Sequence, residues 1–274
     1  MRWKLLHTTR FSFPAPVLLG PHEIRLRPDG PLGGEVENYR LRLWPQPGVH
    51  HWRQDLWNNQ LFQTWFPGPT SQLTIVNEFY YRPRATNPFN FTVEKSALHP
   101  PIQLETTLHD SLAAYLALPE AADWVEPWLN SDLDSVNLLL ALNRWVGQNI
   151  TYEIRPEPGV QSLQTTLRRG RGSCRDTAWL LTLGLRRLGY PSRFVSGYWL
   201  QVENDAAELH AWCEAYLPGA GWLGLDPVAG LLVSNQHLPL ARGPSPHWAA
   251  PVTGSHDGDP AAALTQFRVR VRRC

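Results

Sequence analysis

The chain is poor in sulfur: 274 residues hold three cysteines and one methionine. Cys174, Cys213 and Cys274 form no Cys-x-x-Cys pair, which argues against a structural zinc site and a disulfide framework and fits a reducing compartment. Long apolar runs are also missing, since no segment approaches the roughly 20 residues of a membrane-spanning helix. The opening Met1-Arg2-Trp3-Lys4 lacks the apolar stretch of a secretory signal, so a cytoplasmic location is expected. Excess charge of one sign is absent too: the formal net charge is +1, which points to neither nucleic acid nor a membrane surface as partner. No clustered carboxylate loop suggests calcium, and no cofactor or metal requirement is expected.

What the chain does have is aromatic bulk and turn formers, with 13 Trp, 25 Pro and 20 Gly. Up to about residue 105, short runs (Tyr39 to Leu43, Leu73 to Ile75, Phe89 to Val93) alternate with Pro and Gly clusters, the pattern of a β-sandwich or barrel. From Leu108 to Ile150 the composition turns helical, with Val136, Leu139, Leu140, Asn143 and Val146 at helical spacing behind an Asp134 or Ser135 cap. Two units follow, 1–105 and 106–274. His247 to Pro260, polar and glycine-bearing, reads as a loop. The tail Arg268, Arg270, Arg272 and Arg273, alternating with Val269 and Val271, reads as an edge strand with a solvated face.

The segment RGSCRDTAWLLTLGLRRLGYP, starting at Arg171, predicts a helix whose first residue is Cys174. Ser173 is the N-cap, Asp176 completes a capping box, and Gly189 with Pro191 stops the helix. Unpaired N–H groups and the positive helix end favour a thiolate there. The polar flanks Arg171, Ser173, Arg175 and Asp176 argue against burial of the thiol. Interior Gly184 suggests that something packs closely on it.

A thiolate needs a base, and the base an orienting group. In LHAWCEAYL, Leu209, Ala211, Cys213, Ala215 and Leu217 form an apolar face, and His210, Trp212, Glu214 and Tyr216 the other. After a turn at Pro218 to Gly221, WLGLDP alternates again. A hairpin register setting Leu223 against Ala215 and Leu225 against Cys213 matches apolar to apolar and places Asp226 on the His210 face, diagonal to it. Cys213 then belongs to the core, and Cys274 is an exposed thiol.

The order Cys, His, Asp in RGSCRDTAWLL, ELHAWCEAYLPGAGWLGLDP and the later HLPLARG resembles the transglutaminase-like group of papain-type cysteine enzymes, in the bacterial form with a β-rich N-terminal domain. The resemblance covers nearly the whole chain. It implies an α+β fold in which a papain-like core carries the nucleophile at a helix N-terminus packed on an antiparallel sheet. It implies Cys174 as nucleophile, His210 as general base and acid, and Asp226 as orienter; Val228 departs from the threonine of many relatives. The chemistry implied is acyl transfer on a peptide or amide substrate through a thioester, with water or an amine as acceptor. Longer relatives carry further domains, which implies a protein partner or an added domain.

For the oxyanion, the Cys174 backbone N–H is one donor, with Tyr152, placed at the end of the preceding helix, and Gln148 as candidates for the second. Most tryptophans should fill cores; for the substrate cleft Trp212 comes first, because it shares a strand face with His210, and Trp179 is a further candidate. Two other readings stand beside this one: a non-catalytic peptide-binding module on the same fold, and a metal site built from Cys174, His210 and Asp226, which lacks a fourth ligand.

Overall fold

The computed structural model describes residues 2–28, 34–201, 206–259 and 264–274. The chain opens with β1 (Trp3–Ile24), β2 (Gly34–Trp44), β3 (Val49–Gln54), β4 (Gln60–Trp65) and β5 (Pro69–Pro83). The first half of β1 alternates buried and half-buried residues as far as Thr9 and pairs antiparallel with β5 from Trp3 to Ser12. Its ladder breaks between Ser12 and Val17, where Pro14 and Pro16 have no N–H to donate. Beyond the break the strand bonds β4 through His22 to Ile24.

Helices come next: α1 (Thr106–Ser111) and α2 (Ser135–Asn149). Asp134 is the cap of α2, accepting the Asn137 N–H at 2.9 Å. Then follow β6 (Thr151–Tyr152), α3 (Leu163–Arg169), β7 (Arg171–Gly172) and α4 (Cys174–Arg187). An antiparallel sheet is built from β8 (Ser192–Gln201), β9 (Ala206–Leu217), β10 (Gly221–Asp226), β11 (Leu231–Leu232) and β12 (His237–Gly243), in the order β11-β10-β9-β8-β12. The chain then returns to the first sheet: β13 (Val252–His256) and β14 (Leu264–Arg273) both pair with β1.

That return qualifies the expected division at residue 105, because residues 252–256 and 264–273 complete the sheet that residues 3–24 begin. It also corrects the reading of His247 to Pro260 as a loop. The stretch contains β13, whose partner strand lies more than 200 residues upstream and leaves no local signal; Pro260 itself lies outside the described residues. β14 is an edge strand, with Arg268, Arg270 and Arg272 exposed and Val269 and Val271 half-buried against the core. Phe89 to Val93 is not a strand: Asn87 Oδ1 accepts the Phe89 N–H at 3.0 Å and its carbonyl accepts the Asn90 N–H at 3.0 Å, a turn that the asparagine closes.

Two cores share one face of the second sheet. Ala211, Cys213 and Ala215 of β9 join Leu181 and Leu185 of α4 and Leu138, Leu142 and Val146 of α2 in one cluster. Further along, Tyr198, Leu200, Leu238 and Leu240 pack with Leu5, Ile75, Phe79 and Tyr81 of the first sheet. Inside this second core the Tyr198 hydroxyl is bonded to His7 Nδ1 at 2.8 Å and accepts from Asn77 Nδ2 at 3.0 Å. Among the described residues no helix is long and apolar enough to cross a membrane.

Candidate active site

α4 starts where the sequence places it. Ser173 is its N-cap, and Asp176 Oδ2 accepts both the Ser173 N–H at 2.8 Å and the Ser173 hydroxyl at 2.7 Å. The same carboxylate accepts Arg155 Nε at 3.0 Å and, through Oδ1, the Gln161 N–H at 2.7 Å. Burial opposes its charge, but these donors win, and the Asp176 carboxyl titrates below its ordinary range. Arg175 ties down the same strap by donating to the carbonyls of Arg155 and Glu157 at 2.9 and 3.0 Å. The expectation of an exposed thiol is therefore corrected: Cys174 is 9% exposed, with Ser173 and Asp176 also buried, because Asp176 is the buried hub that anchors residues 155–161 over the helix start.

The hairpin has the expected register, with Leu223 opposite Ala215 and Leu225 opposite Cys213. His210 Nε2 lies 2.8 Å from Asp226 Oδ2, and both side chains are almost fully buried. Asp226 Oδ1 accepts the N–H groups of Val228 at 3.0 Å and Ala229 at 3.3 Å, so the turn after the strand fixes the carboxylate from behind. α2 fixes that turn in its place. Asn143 Nδ2 donates to the carbonyls of Asp226 and Leu231, each at 3.2 Å, and Gly147 leaves room for the Pro227 carbonyl, which a β-carbon would strike.

Cys174 meets His210 from the other side. The imidazole feels the sulfur as a hydrogen-bonding and charged neighbour, yet Nδ1 makes no aligned hydrogen bond. The pair is close without being in line. Burial disfavours a charged imidazole, but the Asp226 carboxylate and the Cys174 sulfur outweigh it and raise the His210 pKa to about 10. Asp226, also buried, is held far below the usual carboxylate range by its two imidazole partners. Cys213 is inert by contrast: full burial pushes its thiol up to about 12.

Sequence reasoning missed His237. Its Nε2 lies 3.0 Å from the same Asp226 Oδ2, and its Nδ1 accepts the Ser234 N–H at 3.3 Å. The only local trace was one histidine opening HLPLARG; its role depends on β12 pairing with β8, which sets His237 opposite Trp199. His210, Asp226 and His237 offer three atoms within 4.8 Å of one another that could hold a metal ion.

The other candidates separate. Tyr152 lies not at a helix end but on β6, opposite Gly172 of β7, two residues before Cys174. It is 43% exposed. Its phenol is pushed up to about 12 by burial and by the charges of Cys174 and Glu208. Gln148 is exposed on α2, and no described contact ties it to Cys174. The tryptophan expectations need correction. Trp212 does share the His210 face, but it is fully buried with Val195 and Val233 and sits where a side chain at Gly197 would be. Trp179 is buried as well, donating Nε1 to Glu120 at 3.4 Å. Trp199, half-buried, is the indole that covers the site, with its ring 5.1 Å from that of His210 and stacked 6.0 Å from that of His237.

A thiol at a helix start, an imidazole and a carboxylate on neighbouring antiparallel strands define the arrangement of papain-type cysteine sites. Residues 123–227 match the transglutaminase-like superfamily, and residues 3–80 match the bacterial transglutaminase-like N-terminal region. The chain belongs to this bacterial transglutaminase-like family. It is 25% identical to an uncharacterised protein of Mycobacterium leprae, over 96% of both chains. To one of Mycobacterium tuberculosis it is 24% identical, over 88% of this chain and 83% of that one. In fold it resembles the solved “Putative Cysteine Protease from Cytophaga hutchinsonii”, with a TM-score of 0.75, 17% identity and coverage of 99% of this chain and 90% of the other.

Proposed function

We propose that this chain is a thiol-dependent acyl-transfer enzyme that hydrolyses amide bonds in a peptide or amide substrate. The observation that carries the reading is a single buried imidazole flanked by a helix-start sulfur on one side and a carboxylate 2.8 Å away on the other. Held between the Asp226 carboxylate and the Cys174 sulfur, and with its pKa raised to about 10, His210 is a base strong enough to take the Cys174 proton. Cys174 attacks the amide carbon, and the oxygen takes the negative charge. As first residue of α4, Cys174 has a backbone N–H with no preceding helical carbonyl to bond, which makes it one oxyanion donor. The Tyr152 hydroxyl, its phenol still protonated at neutral pH, is the second. His210 protonates the departing amine, a thioester remains, and His210 then takes a proton from the water that releases the acid. An amine in place of that water gives cross-linking.

The experiment is alkylation followed by trapping. Cys174 is expected to react with iodoacetamide near neutral pH at least about a hundredfold faster than buried Cys213, and His210→Ala to remove that difference. Equal rates for the two thiols in the folded protein defeat the reading. A Cys174→Ser variant incubated with lysate peptides, followed by mass spectrometry of the adduct, identifies the acyl group.

A further inference from the structure

We propose that His237 is a positioning residue, a second imidazole that locks the orienting carboxylate of Asp226 onto His210. The inference rests on the triad reading above and adds a fourth member to it.

The tautomer follows from the hydrogen bonds. Because His237 Nδ1 accepts the Ser234 backbone N–H at 3.3 Å, it carries no proton, so the proton of the neutral ring is on Nε2. That Nε2–H donates to Asp226 Oδ2 at 3.0 Å. The arrangement favours a donor over a metal ligand, since a ligating nitrogen presents its lone pair, and that lone pair is spent on Ser234. Oδ2 thus receives two imidazole N–H groups, and Oδ1 receives two from the backbone of Val228 and Ala229. Val228 and Ala229 hold one oxygen and leave the other free to swing about it; the His237 N–H limits that freedom with a second bond to Oδ2.

The ring of His237 is itself fixed. It is 4% exposed, stacked under Trp199 and edge-on to Trp212 at 5.3 Å between ring centres. Among the described residues the charged and titratable groups around His210 are Cys174 from α4, Asp226 from β10 and His237 from β12. His237 bonds Asp226 and Ser234 rather than His210 or the thiol, so it acts through the carboxylate.

The test compares His237→Phe, which keeps a ring but removes the donor, with His237→Gln, whose side-chain amide can reach the same carboxylate. In the full chain, the iodoacetamide rate at Cys174 is measured from pH 4 to 10. Near-UV circular dichroism, sensitive to Trp199 and Trp212, reports whether each variant is folded. His237→Phe is expected to lose about tenfold in rate at pH 7, the scale of one hydrogen bond to a charged partner. Its acid limb should move to higher pH, as a less well held carboxylate supports the imidazolium less. His237→Gln should return to within about threefold of the unmodified protein.

A folded His237→Phe with an unchanged rate and limb overturns the inference, as does a folded His237→Gln as slow as the phenylalanine variant. Stoichiometric zinc in the purified protein, with a faster Cys174 after chelation, would also overturn it by making His237 a ligand. If Cys174 of the unmodified protein is no faster than Cys213, the triad reading fails first and this inference with it.

Discussion

Asp226 holds His210 with one oxygen, Oδ2 at 2.8 Å, and the backbone of its own turn with the other. The division decides what Asp226→Asn does. An amide has one acceptor oxygen, and the Val228 and Ala229 N–H groups claim it, so the NH2 group faces the Nε2–H of both histidines. Donor against donor drives the His210 proton to Nδ1, where the ring can no longer accept one from Cys174. Turnover should fall on the order of 10⁴-fold with the fold retained. Near-normal turnover in a variant with native circular dichroism would contradict this geometry.

Two histidines predict a stability maximum close to pH 6.5. His210 is raised from 6.5 to about 10, so the folded chain binds the extra proton; its contribution is complete below 6.5 and is lost as pH rises through about 10. His7, buried against Tyr198, is lowered by burial from 6.5 to about 4, so its contribution is lost as pH falls from 6.5 through about 4. A series of thermal midpoints should peak between these windows. Cys174→Ser should flatten the alkaline arm, because the sulfur helps raise His210, and His7→Asn should flatten part of the acid arm. A midpoint rising steadily to pH 9 would refute the assignment.

Gly147 and the Pro227 carbonyl couple helix α2 to the site. A β-carbon at 147 would strike that oxygen, and relief requires the turn carrying Asp226, Val228 and Ala229 to move. Gly147→Ala should therefore slow Cys174 alkylation several-fold or more while gaining at most about 1 kcal/mol of helix propensity. Alkylation at the original rate would show that the turn has slack.

How much of this could be seen in the residue order depends on the range of each interaction. Ser173, Asp176 and Gly189 specify α4 within its own length, and the alternation of LHAWCEAYL with WLGLDP fixes a hairpin register across a four-residue turn. Features made by strands from elsewhere were hidden. His237 reaches Asp226 only because β12 crosses to pair with β8. Trp212 looked available because the polar face of β9 looked solvated, yet Val195 of β8 and Val233, just past β11, bury it. The exposed look of Cys174 came from polar neighbours whose partners, Arg155 and Gln161, lie on the strap before α3. Gly184 was the one long-range contact with a local sign: the Trp124 indole occupies the place of its missing β-carbon.

That contact sets two effects of a Gly184→Ala change against each other. Alanine is worth about 1 kcal/mol over glycine inside a helix. Overpacking a filled site costs about 1–3 kcal/mol. Trp124 has little freedom to yield, since its ring is stacked on Trp145 at 4.8 Å between centres. Net destabilisation of about 1 kcal/mol is expected in urea unfolding. A stabilised variant would mean that the indole pair slides.

Asp176 and Arg155 offer a ranking in place of a single value. Asp176→Ala leaves the Ser173 N–H, the Ser173 hydroxyl, the Gln161 N–H and a guanidinium 11% exposed without their shared acceptor. Breaking a buried pair from that side should cost about 3–5 kcal/mol. Arg155→Met removes the cation but leaves the carboxylate with four other donors, the Ser173 N–H and hydroxyl and the Gln161 N–H and side-chain amide, so it should cost about half as much or less. Both variants loosen the strap over the helix start, but only Asp176→Ala also breaks the capping box with Ser173 at the start of α4. In urea titrations Asp176→Ala should be the less stable of the two, and its Cys174 should alkylate more slowly; the reverse order in either measurement would show that the arginine, not the carboxylate, organises the start of α4.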